Sequence, residues 1–223
     1  MTKCIQCHES IFESLNAQNF YKKPSPWCAH CIEQWKSVGM TMYQRCPRCL
    51  KLLDINEEKC RDCLFLSMHY VLMNRLHCQF QYKGIMKSTI HKYKFMKDVA
   101  LCKILAEQIE LPKANYDYIV PIPSPIERDK ARTFNPVTTV LDYKQIQYEA
   151  LLSTQLRPRQ YAMGKQMRLQ VDHPFEIASS IDLENKFILL VDDIYTTGIT
   201  VHKAAKSLFV RKIRKFDVFT FAR

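Results

Sequence analysis

Past residue 67 the apolar positions follow two rhythms, one of strands and one of helices. FILLV, 187–191, is an unbroken five-residue apolar run, the pattern of a strand covered on both faces in a parallel sheet. Val201, Ala204, Ala205, Leu208 and Phe209 then mark the inner stripe of a helix, and FDVFTF, 216–221, supplies the next strand. Residues 187–221 therefore read as a βαβ unit. Upstream, YDYIVPIP, 116–123, reads as a strand ending in a proline-stiffened loop. Across 85–109, Met86, Ile90, Tyr93, Ala100 and Ile104 recur at helical intervals, with a break expected near Asp98. The expected fold class is α/β, a mostly parallel sheet flanked by helices over residues 67–223, preceded by a small cysteine-rich module over 1–66.

That module is defined by its thiols. Eight of the ten cysteines form four Cys-x-x-Cys pairs, Cys4/Cys7, Cys28/Cys31, Cys46/Cys49 and Cys60/Cys63, while Cys78 and Cys102 stand alone. Two cysteines separated by two residues can turn around one metal ion, and a second pair closes the tetrahedron, so four pairs make two structural zinc sites of the zinc-ribbon type. Taken in order, Cys4, Cys7, Cys28 and Cys31 form one and Cys46, Cys49, Cys60 and Cys63 the other; an interleaved pairing is equally compatible with the spacing. MTMYQRCPRCLKLL reads as hairpin, knuckle and strand, and the knuckle tips of the module offer Trp27, His30, Pro47 and Arg48 to a protein partner. So short a module has little core, and metal would supply much of its folding free energy.

Composition narrows the class further. With 47% hydrophobic residues the chain can bury a core, which excludes disorder. MTKCIQC carries no apolar signal segment and no stretch is long enough to insert in a membrane, so a cytoplasmic protein is expected, its thiols kept reduced. The formal charge is +11, yet residues 1–66 hold nine Lys/Arg against seven Asp/Glu, so the surface that meets polyanions should lie after residue 66.

The chemistry concentrates in ILLVDDIYTTGIT, 188–200. A strand runs into two adjacent carboxylates and then a hydroxyl-rich loop around a glycine at the start of a helix. In open α/β sheets ligands bind beyond the carboxyl ends of strands, where helix N-termini offer free N–H groups to anions. Thr196, Thr197 and Thr200 suit a monophosphate, Gly198 lets the backbone come close, and Asp192 and Asp193 suit hydroxyl donors, with magnesium near by. A ribose 5-phosphate has those groups. VDDIYTTGIT resembles the phosphoribosyl pyrophosphate (PRPP) signature of type I phosphoribosyltransferases. That resemblance implies that Asp192 and Asp193 contact the ribose hydroxyls and residues 196–200 cradle the 5′-phosphate.

The whole chain permits a narrower match. Cysteine knuckles, then YKGIMKSTIHKYKF, VPIP, an RxFN element and VDDIYTTGIT resemble, in this order, the ComF competence family (ComFC or GntX-like). The resemblance implies handling of incoming single-stranded DNA during natural transformation, on the cytoplasmic side and beside a helicase-like, ComFA-type partner. The family's usual RGFNQ reads Arg132-Thr133-Phe134-Asn135-Pro136 here, replacing a permissive glycine.

PIPSPIERDKARTFNP offers Ser124, Arg128 and Arg132 to pyrophosphate, and QLRPRQYAMGKQMRLQ, with Arg157, Arg159, Lys165 and Arg168, matches the position of a flexible catalytic loop. Asp192, Asp193, Arg159 and Lys165 are the catalytic candidates, should phosphoribosyl transfer to an acceptor occur. With the last expected strand ending close to Arg223, an acceptor hood is expected from residues 67–115 or the cysteine module. For DNA, YKGIMKSTIHKYKFMK interleaves aromatics with Lys83, Lys87, Lys92 and Lys94; Tyr93 and Phe95 are expected to point into the core. The cluster from Lys203 to Lys215 reads as helix surface.

Overall fold

The computed structural model describes residues 2–12, 21, 25–54, 57, 60–154 and 175–223. Four parallel strands form the central sheet: β3 (Leu76–Cys78), β4 (Tyr118–Pro121), β7 (Phe187–Ile194) and β8 (Lys215–Ala222), in the order β3-β8-β7-β4. Two short antiparallel pairs lie outside it, β1 (Thr2–Lys3) with β2 (Ser10–Ile11) and β5 (Leu152–Ser153) with β6 (Glu176–Ile177). β7 and β8 sit in the centre, and their side chains alternate between two layers because successive residues of a strand face opposite ways. Leu189 and Val191 of β7 and Phe219 and Phe221 of β8 face one apolar cluster; Ile188, Leu190, Phe216 and Val218 face the other. Burial on both faces explains why FILLV shows no polar alternation.

The first layer is built by α3 (Gly84–Phe95), α4 (Leu101–Gln108) and α6 (Pro136–Tyr143), through Ile85, Met86, Ile90 and Tyr93, then Ile104 and Leu105, then Val137, Val140 and Leu141. The helical stripe expected over 85–109 is thus two helices, broken at residues 96–100 where Lys97 takes a positive φ of 59°. Ala100, expected in the core, is exposed at the start of α4, and Leu101 fills the buried position instead. α5 (Ile126–Arg132) follows β4 and hands over to α6 through a sharp turn. There Asn135 caps α6, accepting from the N–H groups of Val137 and Thr138 at 3.0 Å, and Pro136 occupies the first helical position, where a missing N–H costs nothing.

The second layer is α7 (Ile199–Phe209), which joins β7 to β8 as the sequence pattern requires and buries Val201, Ala204, Ala205 and Leu208. The cysteine-rich segment supplies the rest of the covering. Its α2 (Arg61–Ser67) buries Leu66, and Cys46, Cys49, Leu50 and Cys60 pack into the same cluster as Ile188 and Leu190. On the opposite face, Trp35 of α1 (Ala29–Ser37) packs with α3 and edge-on against Phe80, 5.2 Å between ring centres. The strand expected after CPRC is reduced to a single antiparallel bridge between Arg45 and Leu52.

Candidate functional site

A cleft of about 730 Å³ opens at the carboxyl ends of β4 and β7, adjacent parallel strands whose register sets Pro121 beside Val191. β7 runs on past that pair through Asp192 and Asp193 to Ile194, and the segments that follow the two strands both line the opening. From the β4 side come Ser124, Arg128 and Arg132; from the β7 side come Asp192, Asp193, Thr196, Thr197 and Thr200. All eight are residues that the sequence marks for PRPP. Gly198, the ninth, lies behind the lining as the N-cap of α7 with φ 77°. A Cβ there would sit 2.1 Å from the Tyr195 hydroxyl, so both the backbone geometry and the space demand glycine.

Charge in the cleft is arranged in opposition. Asp193 is ion-paired with Lys94, and Asp192 turns an oxygen onto the N–H of Asp193 at 2.8 Å. Burial works against the charge on Lys94, but the Asp193 carboxylate more than offsets it and holds the ammonium above its usual pKa. On the facing side, Nη1 of Arg132 is buried without a hydrogen-bond partner, a donor left over for an anion. α7 presents its N-terminus to the same space, with Thr196 and Thr197 just before it and Lys203 further along.

The four lysines expected on a DNA face do not stay together. Lys83, just ahead of α3, and Lys87 and Lys92 on it are exposed, whereas Lys94 enters the cleft. Tyr93 is core, its hydroxyl donating to the Pro136 carbonyl at 3.0 Å. Phe95, expected inside, is half exposed at the cleft mouth, because it ends α3 beyond the helix's last buried turn. Lys94, Phe95 and Lys97 are the cleft residues drawn from 67–115, the segment from which a hood was expected. Arg157, Arg159, Lys165 and Arg168 lie outside the described residues.

Sequence reasoning missed two residues that shape the loop. Tyr195, 3% exposed, packs beneath Gly198. His202, one turn into α7, donates from Nδ1 to the Gly198 carbonyl at 2.7 Å and accepts the Met73 N–H at Nε2 at 3.3 Å. Its position four residues after the glycine, within an apolar stripe, was the available signal.

The thiols resolve into two quartets, Cys4/Cys7/Cys28/Cys31 and Cys46/Cys49/Cys60/Cys63, with the sulfurs of each within 4.8 Å of one another. This selects the sequential pairing over the interleaved one. Sulfur separations of 3.7 Å for Cys7–Cys28, 3.7 Å for Cys46–Cys63 and 3.5 Å for Cys49–Cys60 are far too long for disulfides. They match the edge of a tetrahedron with zinc–sulfur bonds of about 2.3 Å. Backbone N–H groups of Cys28 and Cys31 point at the sulfurs of Cys4 and Cys28, both at 3.4 Å, the pattern that favours thiolate. Hydrogen bonding, led by Cys63 and helped by Arg223, draws the Cys49 thiol down to about 5 despite burial. Both quartets fit structural zinc. Among the described residues no other group brings three metal-ligand side chains together, and no helix is long and apolar enough to cross a membrane.

No family model matches the chain. It aligns over 99% of its length with competence protein ComFC of Streptococcus pneumoniae at 28% identity, covering all of that protein. The ComFC of Bacillus subtilis aligns at 24% identity over 99% of this chain and 94% of its own length. Competence protein F of Haemophilus influenzae does so at 23%, over 99% and 96%. The chain is thus similar from end to end to proteins named competence protein ComFC or F. Among solved structures, the chain resembles the allosteric regulatory enzyme of purine biosynthesis (TM-score 0.34, 16% identity, 61% of this chain and 26% of that one). It also resembles a hypoxanthine phosphoribosyltransferase from Staphylococcus aureus (TM-score 0.32, 16% identity, 56% and 61%). The match spans less than two thirds of either solved chain.

Proposed function

We propose that this protein serves DNA uptake by handling incoming single-stranded DNA in the cytoplasm, and that its cleft binds PRPP. The observation that carries the ligand reading is the convergence of eight marked residues from two strand ends on one opening, with paired acids on one side and an unpartnered Arg132 donor on the other. Asp192 and Asp193 would accept from the vicinal hydroxyls of ribose, and the α7 N-terminus with its threonines would receive the 5′-phosphate. Ser124, Arg128, Arg132 and Lys94 would meet pyrophosphate. Two carboxylates make no magnesium cage, so Mg²⁺ would arrive on the ligand's phosphates. The competence role comes from the names of the relatives, and the exposed Lys83, Lys87 and Lys92 offer backbone phosphates a cationic strip. A ComFA-type helicase is the partner this role implies.

Calorimetry with PRPP and Mg²⁺ tests the cleft. Wild type should bind, and Asp192→Asn with Asp193→Asn should weaken binding at least about tenfold, the worth of one charged hydrogen bond or more. Absence of heat from wild type, or full binding by the double variant, overturns the reading. In parallel, Lys83→Gln, Lys87→Gln and Lys92→Gln together should weaken binding of an oligonucleotide and flatten its salt dependence by roughly one unit of slope for each phosphate left without a cation.

A second reading is a phosphoribosyltransferase acting on a nucleobase-like acceptor. The cationic set opposite the carboxylates favours it, since a departing pyrophosphate needs such charge. Pyrophosphate release on adding purine or pyrimidine bases to the PRPP complex separates an enzyme from a binding protein.

A further inference from the structure

The second cysteine quartet and the phosphate loop share one packed unit. Arg223, just past β8, donates from Nε to the carbonyl of Cys49, and its Nη2 lies 3.9 Å from the Cys49 sulfur. The same guanidinium lies 5.3 Å from the centre of the Tyr195 ring. Tyr195 stands between the paired acids and the threonines, in the same buried cluster as Cys46, Cys49 and Cys60. Its N–H donates to the Ala222 carbonyl at 2.9 Å, and its hydroxyl, buried without a hydrogen-bond partner, closes the space beneath Gly198. The first quartet is placed differently: it adjoins α3 through Trp35 and through Gln6, which donates to Thr89.

We infer that metal at Cys46/Cys49/Cys60/Cys63 is coupled to the ligand loop through Arg223 and Tyr195, so that filling this centre tightens sugar-phosphate binding while filling the first does not. A metal ion fixes the 46–49 knuckle. The knuckle then fixes the carbonyl that holds Arg223, Arg223 holds the Tyr195 ring, and the ring holds Gly198 in the left-handed geometry that opens α7. Tyr195 and Arg223 are positioning residues, since neither lines the cleft. Coupling between sites is reciprocal, so ligand in the cleft must raise metal affinity at this centre by the same factor.

The inference rests on the PRPP reading for its ligand arm, but one measurement does without it. Hydrogen exchange is followed in the zinc-loaded full chain at the amides of residues 195–202, in wild type, Cys63→Ser, Cys7→Ser and Arg223→Gln, with zinc content checked in each. Faster exchange is expected in Cys63→Ser and Arg223→Gln and unchanged exchange in Cys7→Ser. Arg223→Gln keeps all eight ligands and so covers the case in which Cys63→Ser does not fold. Where wild type binds PRPP, affinity should fall about tenfold in Cys63→Ser and Arg223→Gln and less than twofold in Cys7→Ser, and PRPP should retard chelator removal of one zinc of the two. Unchanged exchange in Arg223→Gln, or equal acceleration in Cys7→Ser and Cys63→Ser, overturns the coupling. A silent PRPP titration with the exchange pattern intact would reject the ligand and keep the coupling.

Discussion

His202 shows how one buried side chain ties the loop to pH. It is 1% exposed, tilted against Tyr70 and edge-on to Phe216, and its two hydrogen bonds require a neutral ring with the proton on Nδ1. A second proton on Nε2 would face the Met73 N–H. Burial, with Arg48 adding a smaller push, lowers its pKa from 6.5 to about 4, while the Gly198 carbonyl acts in the opposite direction. The unfolded ring takes up a proton below about 6.5 and the folded ring only near 4, so its contribution is whole above 6.5 and drains as pH falls between the two values. The expected loss is about 3 kcal/mol in urea unfolding across that window. In His202→Gln the slope should be flatter by that amount; an equal slope in both proteins excludes a neutral buried ring.

Among elements, the α5–α6 turn carries the sequence's departure from the RGFNQ pattern it resembles. Thr133 caps the end of α5 at φ 74°, a left-handed geometry that a β-branched residue adopts only under strain and a glycine adopts freely. The turn is held nonetheless by the Thr133 N–H on the Asp129 carbonyl at 2.7 Å and by Asn135 donating to the Asp129 carboxylate at 2.9 Å. Thr133→Gly should therefore stabilise the protein by about 1 kcal/mol, read as a higher urea midpoint at constant m-value. A lower midpoint would mean that the chain relieves the strain elsewhere. The long elements β7, β8 and α7 were legible from their apolar rhythm. β3, three residues at the sheet edge, was not, because its place comes from pairing with β8 and not from its own pattern.

At the scale of the whole molecule, residues on both sides of position 66 pack into common clusters: Trp35 with α3, and Cys49 and Leu50 with β7. Stripping zinc should then lower the melting temperature of the entire chain in one cooperative transition, since Cys46, Cys49 and Cys60 pack in the same cluster as Ile188 and Leu190 of β7. Calorimetry showing a separate low-temperature transition with the main one unmoved would instead make residues 1–66 an independent folding unit.

The local motifs were readable in advance. Ligand spacing within a knuckle, a strand running into two acids, and a glycine before an apolar helix are each set within a few residues, where period and residue chemistry speak directly. Convergence was not readable, because it depends on segments far apart in sequence meeting in space. The register of β4 on β7 brings Arg132 opposite Asp192, the packing of α3 sends Lys94 to Asp193 and away from its neighbouring lysines, and the return of β8 carries Arg223 to Cys49. Those placements follow from which apolar faces bury each other, and no single segment holds that information.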